Sequence, residues 1–557
     1  MLSRCNRDRT SSYWIALCAL TSAAVIVLLV IALGATQGID TDSAWQFKAV
    51  DQHVNGSSPA FTTLVTADPG DLSADKFDWI TWWAPGNALI VYSLMRLHLK
   101  LGLAVRIIAV LCLMAGSVGW SLWISSFSIP KSIKILLSVS IPWSSYAHNS
   151  LFSYGAETLL FGAVPWVLLL VISSLEYRGR FSLALIGMAG LSLGLLYVLK
   201  YSGVFVALGG LAYISIQCVT GRRWGRACLC AFAFLVPIIG VNFINQLHAH
   251  TMNLITASRS FGLRPEILLF GIANPALAVA SGEAALRYVL LRPTTGLLPG
   301  GSELWLGLAG LPGGVTVLIL LSRRTPFGAH AILACCVFSV SIICVMAVWT
   351  LSNAVSFEAR HIAGGSLAVL PYVIEIAYGL RASRRGRIFL AVCGIFYIIL
   401  PSLYGVAATV GKTIRHSRHH PGPSDIYDPF LSPDSARSRS ILTQDFDPSS
   451  DVWYLMHPIP ALDLPGRMLI RRADDISIEN LRRESYQTRK PVRVRVVLPA
   501  TPEMDEKSVA IRESFSQAAK WTSCPSDSSI HCWVSWIATA RPIDTKREAL
   551  APFIIVK

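Results

Sequence analysis

Apolar runs of about twenty residues recur along this chain, and the gaps between them alternate in charge. Every second gap is basic: Lys131 and Lys134; Arg178 and Arg180; Arg222, Arg223 and Arg226; Arg323 and Arg324; Arg381, Arg384, Arg385 and Arg387. A run of that length crosses a hydrocarbon core of about 30 Å as a helix, because a helix satisfies its own backbone hydrogen bonds in lipid. Basic loops stay in the cytoplasm, so the alternation predicts a cytoplasmic N-terminus and an external C-terminus. The expected spans are 13–35, 104–125, 133–147, 151–175, 181–199, 203–219, 227–246, 304–322, 329–351, 362–380 and 388–410, about eleven helices.

Composition agrees with that pattern. The chain is 53% hydrophobic and 15% charged, with a mean hydropathy of +0.52, far from the balance of a soluble domain. Its net charge of +15 is scattered in short clusters between apolar runs, which is the signature of topology rather than of nucleic-acid binding. The first run follows Arg4, Arg7 and Arg9 and is too long for a signal-peptide core, so it reads as an uncleaved helix. The fold class is therefore an all-α polytopic membrane protein.

Three segments interrupt the spans. Residues 36–103 are polar and acidic, with Asp51, Asp68, Asp71, Asp75 and Asp78 against Lys48 and Lys76, and read as an outer loop. Within it, 85–103 reads as a stretch lying along the membrane surface. Residues 247–303 form a second outer loop or a re-entrant segment. The membrane domain covers 1–410, a His-, Pro- and Ser-rich linker covers 411–433, and 434–557 is long enough for a small α/β domain outside the membrane. Strands are expected at 451–455 and at 492–498, where apolar residues alternate, with a helix at 478–486 between them. Most cysteines lie in apolar runs as small hydrophobes, whereas Cys524 and Cys532 have a spacing that permits a disulfide outside the cytoplasm.

Chemistry enters at Asp40 and Asp42, where the first span ends. Carboxylates next to hydrocarbon are costly and face water, a cation or a substrate. Two such groups are suited to removing a proton from an acceptor hydroxyl, or to holding a divalent cation such as Mg²⁺ or Mn²⁺; equally, they solvate the end of a helix. No Walker A loop, HExxH helix or GxSxG elbow is present in the sequence.

Taken with Trp83-Ala84-Pro85-Gly86-Asn87 and Leu101-Gly102-Leu103-Ala104-Val105-Arg106, the stretch from Asp42-Ser43-Ala44 resembles the opening of the GT-C glycosyltransferases. That membrane superfamily includes the protein O-mannosyltransferases and the aminoarabinose lipid A transferases. Asp42 matches its catalytic acidic position, with Asp40 as the alternative, while Ser43 stands where many members have Glu. Glu157, in Ser153-Tyr154-Gly155-Ala156-Glu157, matches a second acidic position, and Lys200 a basic position near the lipid phosphate. Phe357-Glu358-Ala359-Arg360-His361, followed by Pro371, is similar to the Glu-x-Arg-Tyr…Pro signature, with His361 in place of Tyr.

The resemblance implies a glycosyltransferase of the cell membrane. It would move a hexosyl or pentosyl group from a polyprenyl-phosphate-linked donor to an extracytoplasmic glycan, lipid or protein, with inversion. Asp42 would be the base, Asp40 and Asp42 the ligands of any divalent cation, and Glu157, Lys200, Glu358, Arg360 and His361 the substrate-binding set. Two rivals share the topology. A polysaccharide polymerase or ligase would put its key basic residues in later loops, and a lipid-linked sugar flippase would need broken or charged helices near the midplane.

Overall fold

A computed structural model describes residues 2–249, 265–278, 282–291, 303–323, 328–351, 358–428, 434–471, 477–515, 517–526, 528 and 530–538. Helix α1 (Leu2–Leu33) carries the first apolar run, and a two-residue strand β1 (Gln37–Gly38) follows. The next stretch is not the loop its polarity suggests. It forms helix α2 (Thr41–Val54), with Ala44, Phe47 and Val50 buried at spacings of three, then a hairpin of β2 (Thr63–Asp68) and β3 (Asp71–Trp79). Asp40 starts α2 as its N-cap, its Oδ1 accepting the Ser43 N–H at 2.6 Å.

Helix α3 (Pro85–Met95) begins at a proline, as first helical turns tolerate, and leads to α4 (Leu101–Ser125). The expected span at 133–147 is corrected. The chain forms α5 (Lys131–Ser140), a 3₁₀ turn over Ile141–Trp143, then α6 (Ser145–Phe152). At 10 residues α5 is only about 15 Å long, and Pro142, which has no N–H to continue the ladder, lies at the break. This return across the bundle is therefore made in two pieces.

The remaining long helices follow the sequence pattern closely. They are α7 (Glu157–Glu176), α8 (Ser182–Leu199), α9 (Gly203–Thr220) and α10 (Trp224–Ala249), then the short α11 (Pro265–Leu277) and α12 (Gly282–Leu291) within the second expected outer segment. After these come α13 (Glu303–Ser322), α14 (Ala329–Leu351) and α15 (Ala363–Leu380). Helix α16 (Arg384–Gly394) continues through a π-helical turn over Ile395–Ile399 into α17 (Leu400–Ser417). Among the described residues, eight helices are long and apolar enough to cross a membrane. The chain is thus a multi-pass membrane protein. Phe232, Ile239 and Phe243 on α10 are exposed, as lipid-facing side chains are. Helices α8 and α10 approach closely at Gly190 and Gly194, where a Cβ would run into the Cys230 and Phe234 carbonyls, a small-xxx-small contact.

Beyond the membrane helices, β4 (Ile426–Tyr427) lies in the segment read as a linker and pairs parallel with β1, tying that segment to the end of α1. Residues 429–433 of that segment lie outside the described set. A mixed α/β domain follows, with α18 (Ser435–Leu442), β5 (Asp451–Leu455), β6 (Arg467–Ile470), α19 (Ile478–Arg483), β7 (Val492–Pro499), α20 (Pro502–Glu513), β8 (Thr522–Ser523) and β9 (Ile530–Ile537). Its sheet runs β6-β5-β7-β9-β8, parallel across β6, β5 and β7 and antiparallel thereafter. Cys524 and Cys532 are joined in a disulfide, with Cα atoms 5.2 Å apart.

Fully buried Asp451 holds this domain together through Arg493 at 2.6 Å and Arg495 at 2.8 Å. Arg495 is itself buried, so removing its carboxylate partner strands a charge. Asp451→Ala is expected to destabilise the domain by about 3–5 kcal/mol, read as an earlier denaturant transition reported by its tryptophans.

Candidate functional site

Four segments bring ionisable groups to one end of the bundle. Glu157 opens α7 and Lys200 closes α8, so both stand at helix ends on the same face of the membrane domain. Lys200 Nζ lies 2.6 Å from Glu157 Oε1, with the two side chains 19% and 12% exposed. Before α15 a 3₁₀ turn over Ala359–His361 presents Arg360, whose Nη1 lies 3.2 Å from the same Glu157 oxygen. Arg360 also pairs through Nε with Glu358 and through Nη2, at 3.8 Å, with Asp42 Oδ2. Phe357, the first residue of the expected motif, lies outside the described residues.

Asp40 reaches the cluster from behind. Ile39 bridges Tyr154 in parallel, and the Asp40 N–H donates to the Tyr154 carbonyl at 2.9 Å. That docking sets Asp40 against Gly155, where a Cβ would sit 2.7 Å from Glu157 Oε2 and nearer still to Asp40 Oδ2. Only glycine lets the two carboxylates come so close. The Tyr154 hydroxyl donates to Asn87 at 2.8 Å, Asn87 donates to Gln46 at 3.0 Å, and Gln46 donates to the Ala84 carbonyl at 2.9 Å, so a buried polar chain fixes α2 against α3.

Charge in this cluster is unbalanced. Asp40, Asp42, Glu157 and Glu358 face Lys200 and Arg360. Burial, then the charges of Glu157 and Asp42, push the Asp40 carboxyl up to about 7 against the lowering effect of the Ser43 hydrogen bonds. Burial alone would weaken the Arg360 charge, but Glu157, Glu358, Asp40 and Asp42 outweigh it and hold the guanidinium protonated. Burial and the neighbouring Arg360 push His361 down to about 4, so its ring is neutral at physiological pH. His361 Nε2 is buried without a hydrogen-bond partner.

All seven residues singled out from the sequence therefore lie in or beside one cluster, with Asp40 and Asp42 distinguished by environment. Asp42, 35% exposed, faces open space and Arg360. Asp40 is turned inward as a cap. Sequence reasoning missed the support beneath Arg360: Glu283 on α12 accepts the Ala359 N–H at 2.7 Å and pairs with Arg287 at 2.7 Å. The i,i+4 spacing of Glu283 and Arg287 is visible in the chain, but nothing local says which turn it holds.

Gly155→Ala tests the close approach of the two carboxylates. Overpacking there is expected to cost about 1–3 kcal/mol, seen as a lowered thermal midpoint of the purified protein in nanodiscs.

No family model matches the chain, and no curated protein matches it. Solved structures do. The crystal structure of ArnT from Cupriavidus metallidurans bound to undecaprenyl phosphate superposes with a TM-score of 0.51 at 11% identity, covering 94% of this chain and 98% of that one. Its apo form gives 0.52 with the same identity and coverage. Arabinofuranosyltransferase AftD from Mycobacteria gives 0.44 at 11% identity, over 94% of this chain and 40% of that one. At such identity the likeness speaks for architecture alone: this chain shares the fold of ArnT over 94% of its length.

Proposed function

We propose that this protein is a membrane glycosyltransferase that takes a sugar from a polyprenyl-phosphate-linked donor and places it on an acceptor outside the cytoplasm. The observation that carries the proposal is Arg360, which touches both Asp42 and the Glu157–Lys200 pair. A half-exposed carboxylate and two cations thus lie together on the fold of ArnT, a protein whose structure is bound to undecaprenyl phosphate, which supports a proton acceptor beside phosphate-binding groups. Every described basic gap lies at the far end of the helices from this cluster, which supports an outward-facing site, a cytoplasmic N-terminus and an extracytoplasmic C-terminal domain in the cell membrane.

In this reading Lys200 and Arg360 grip the donor phosphate. Lysine carries three N–H donors and arginine five, so both keep donors beyond those that Glu157 takes. The acceptor hydroxyl gives its proton to Asp42, and its oxygen bonds to the anomeric carbon as the carbon–oxygen bond to phosphate breaks. The electron pair of that bond leaves with the phosphate, whose added charge meets the two cations. Attack opposite the leaving group inverts the anomeric carbon. Neutral His361, whose buried Nε2 has no hydrogen-bond partner, would hydrogen-bond the donor in this reading.

A divalent cation would be held chiefly by half-exposed Asp42, with Asp40, whose Oδ1 caps α2, lending charge from behind. No group of three His, Cys, Asp or Glu is arranged around a metal position among the described residues. Mg²⁺ does not need one, because it commonly takes one or two carboxylates, waters and substrate phosphate. When bound, it would neutralise charge on the departing phosphate. Chelation is expected to slow transfer and added Mg²⁺ or Mn²⁺ to restore it.

The direct test is transfer of a labelled sugar from a polyprenyl-phosphate donor in membranes. Asp42→Asn is expected to lower the rate by about 10²-fold or more, and an undiminished rate would remove the proposed base. Burial and the charges of Glu157 and Asp42 hold the Asp40 carboxyl near 7, so transfer is expected to change with pH through about 7. Asp40→Asn is expected to flatten that step, read from the pH dependence of kcat.

A further inference from the structure

The C-terminal domain reaches into the cluster at one point. Thr41 stands between Asp40 and Asp42 in the first turn of α2, and its Oγ1 lies 2.8 Å from Nε2 of His457, just beyond β5. His457 is 5% exposed, so it is held in place rather than free to swing. Its other ring nitrogen, Nδ1, takes the Ile459 N–H at 3.4 Å. A backbone N–H only donates, so Nδ1 accepts and Nε2 carries the hydrogen that goes to Thr41. The same face of α2 sends Trp45 into the apolar cluster built by Trp453, Leu455 and Ala461. The helix that carries Asp42 is therefore gripped by the distal domain at its first turn.

We propose that His457 is a positioning residue for the transfer reaction: through Thr41 it fixes the first turn of α2, so that Asp42 is held in the orientation that removes the acceptor's proton. The inference rests on the transferase reading above and gives the C-terminal domain a role in that chemistry. Asp40 already caps the turn from within the membrane domain, and the Thr41–His457 bond pins it from outside. Displacement of a reacting group by about 1 Å costs up to 10²-fold in rate, so the bond bears on turnover more than on donor binding, which Lys200 and Arg360 supply.

The test uses the full-length protein in nanodiscs, with Thr41→Ala, Thr41→Ser, His457→Ala and the Thr41→Ala/His457→Ala double variant. Amide exchange over residues 41–45 and kcat and KM for a polyprenyl-phosphate sugar donor are measured for each. Both single alanine variants are expected to speed exchange about tenfold and to lower kcat at least about tenfold, with donor KM little changed. The double variant should be no worse than either single one, and Thr41→Ser should behave as wild type because it keeps the hydroxyl. Unchanged exchange in His457→Ala, additive losses in the double variant, or a Thr41→Ser as impaired as Thr41→Ala would overturn the proposal. If wild type transfers no sugar, the transferase reading fails, and the exchange results alone then decide whether His457 positions the turn.

Discussion

Glu157, shared between Lys200 and Arg360, is the interaction on which this arrangement depends. A largely buried carboxylate is tolerable only when its charge is met, and here two cations from different parts of the chain meet it. The ion pairs join the start of α7, the end of α8 and the turn before α15. Losing any one member would leave an uncompensated charge at the end of the bundle, so this interaction fixes where three helix ends stand relative to one another. In the proposed reaction the same cations would supply the positive field for the donor phosphate.

Around that core the chain returns repeatedly to the segment carrying Asp40 and Asp42. β1 pairs with β4 from beyond the last membrane helix, and Tyr154 pins Ile39 and Asp40. The C-terminal domain grips the hairpin after α2: Leu72 donates its N–H to the Gln487 carbonyl at 2.8 Å, and Arg467 pairs with Asp75 at 2.8 Å. A segment that touches membrane helices on one side and a folded domain on the other loses little further freedom when substrate binds. That pre-organisation is what the proposed proton transfer to Asp42 would demand.

The membrane helices were legible because lipid imposes a long apolar run on each, and 329–351 and the strand at 451–455 fall where the pattern puts them. The crossing near Pro142 was less so, since hydropathy does not register a break in the backbone. α2 was hidden by its polarity: its buried apolar residues are Ala44, Phe47, Ala49 and Val50, and its other faces meet polar partners from elsewhere. Asp40 and Asp42 stood out as carboxylates at the end of an apolar run, whereas Glu157, Lys200 and Arg360 came from a resemblance, because long stretches of chain separate them. Gly155, Glu283 and His457 escaped altogether, since each matters only for a neighbour that folding brings to it.

The central claim is that Lys200 and Arg360 together hold the phosphate of a polyprenyl-linked donor. Its most direct test is the binding of a labelled polyprenyl phosphate to the purified protein in nanodiscs, compared with Lys200→Met and Arg360→Met. The account predicts that each substitution weakens binding at least about tenfold, in keeping with the loss of a charge-assisted hydrogen bond. Binding of wild-type strength by both folded variants would contradict it.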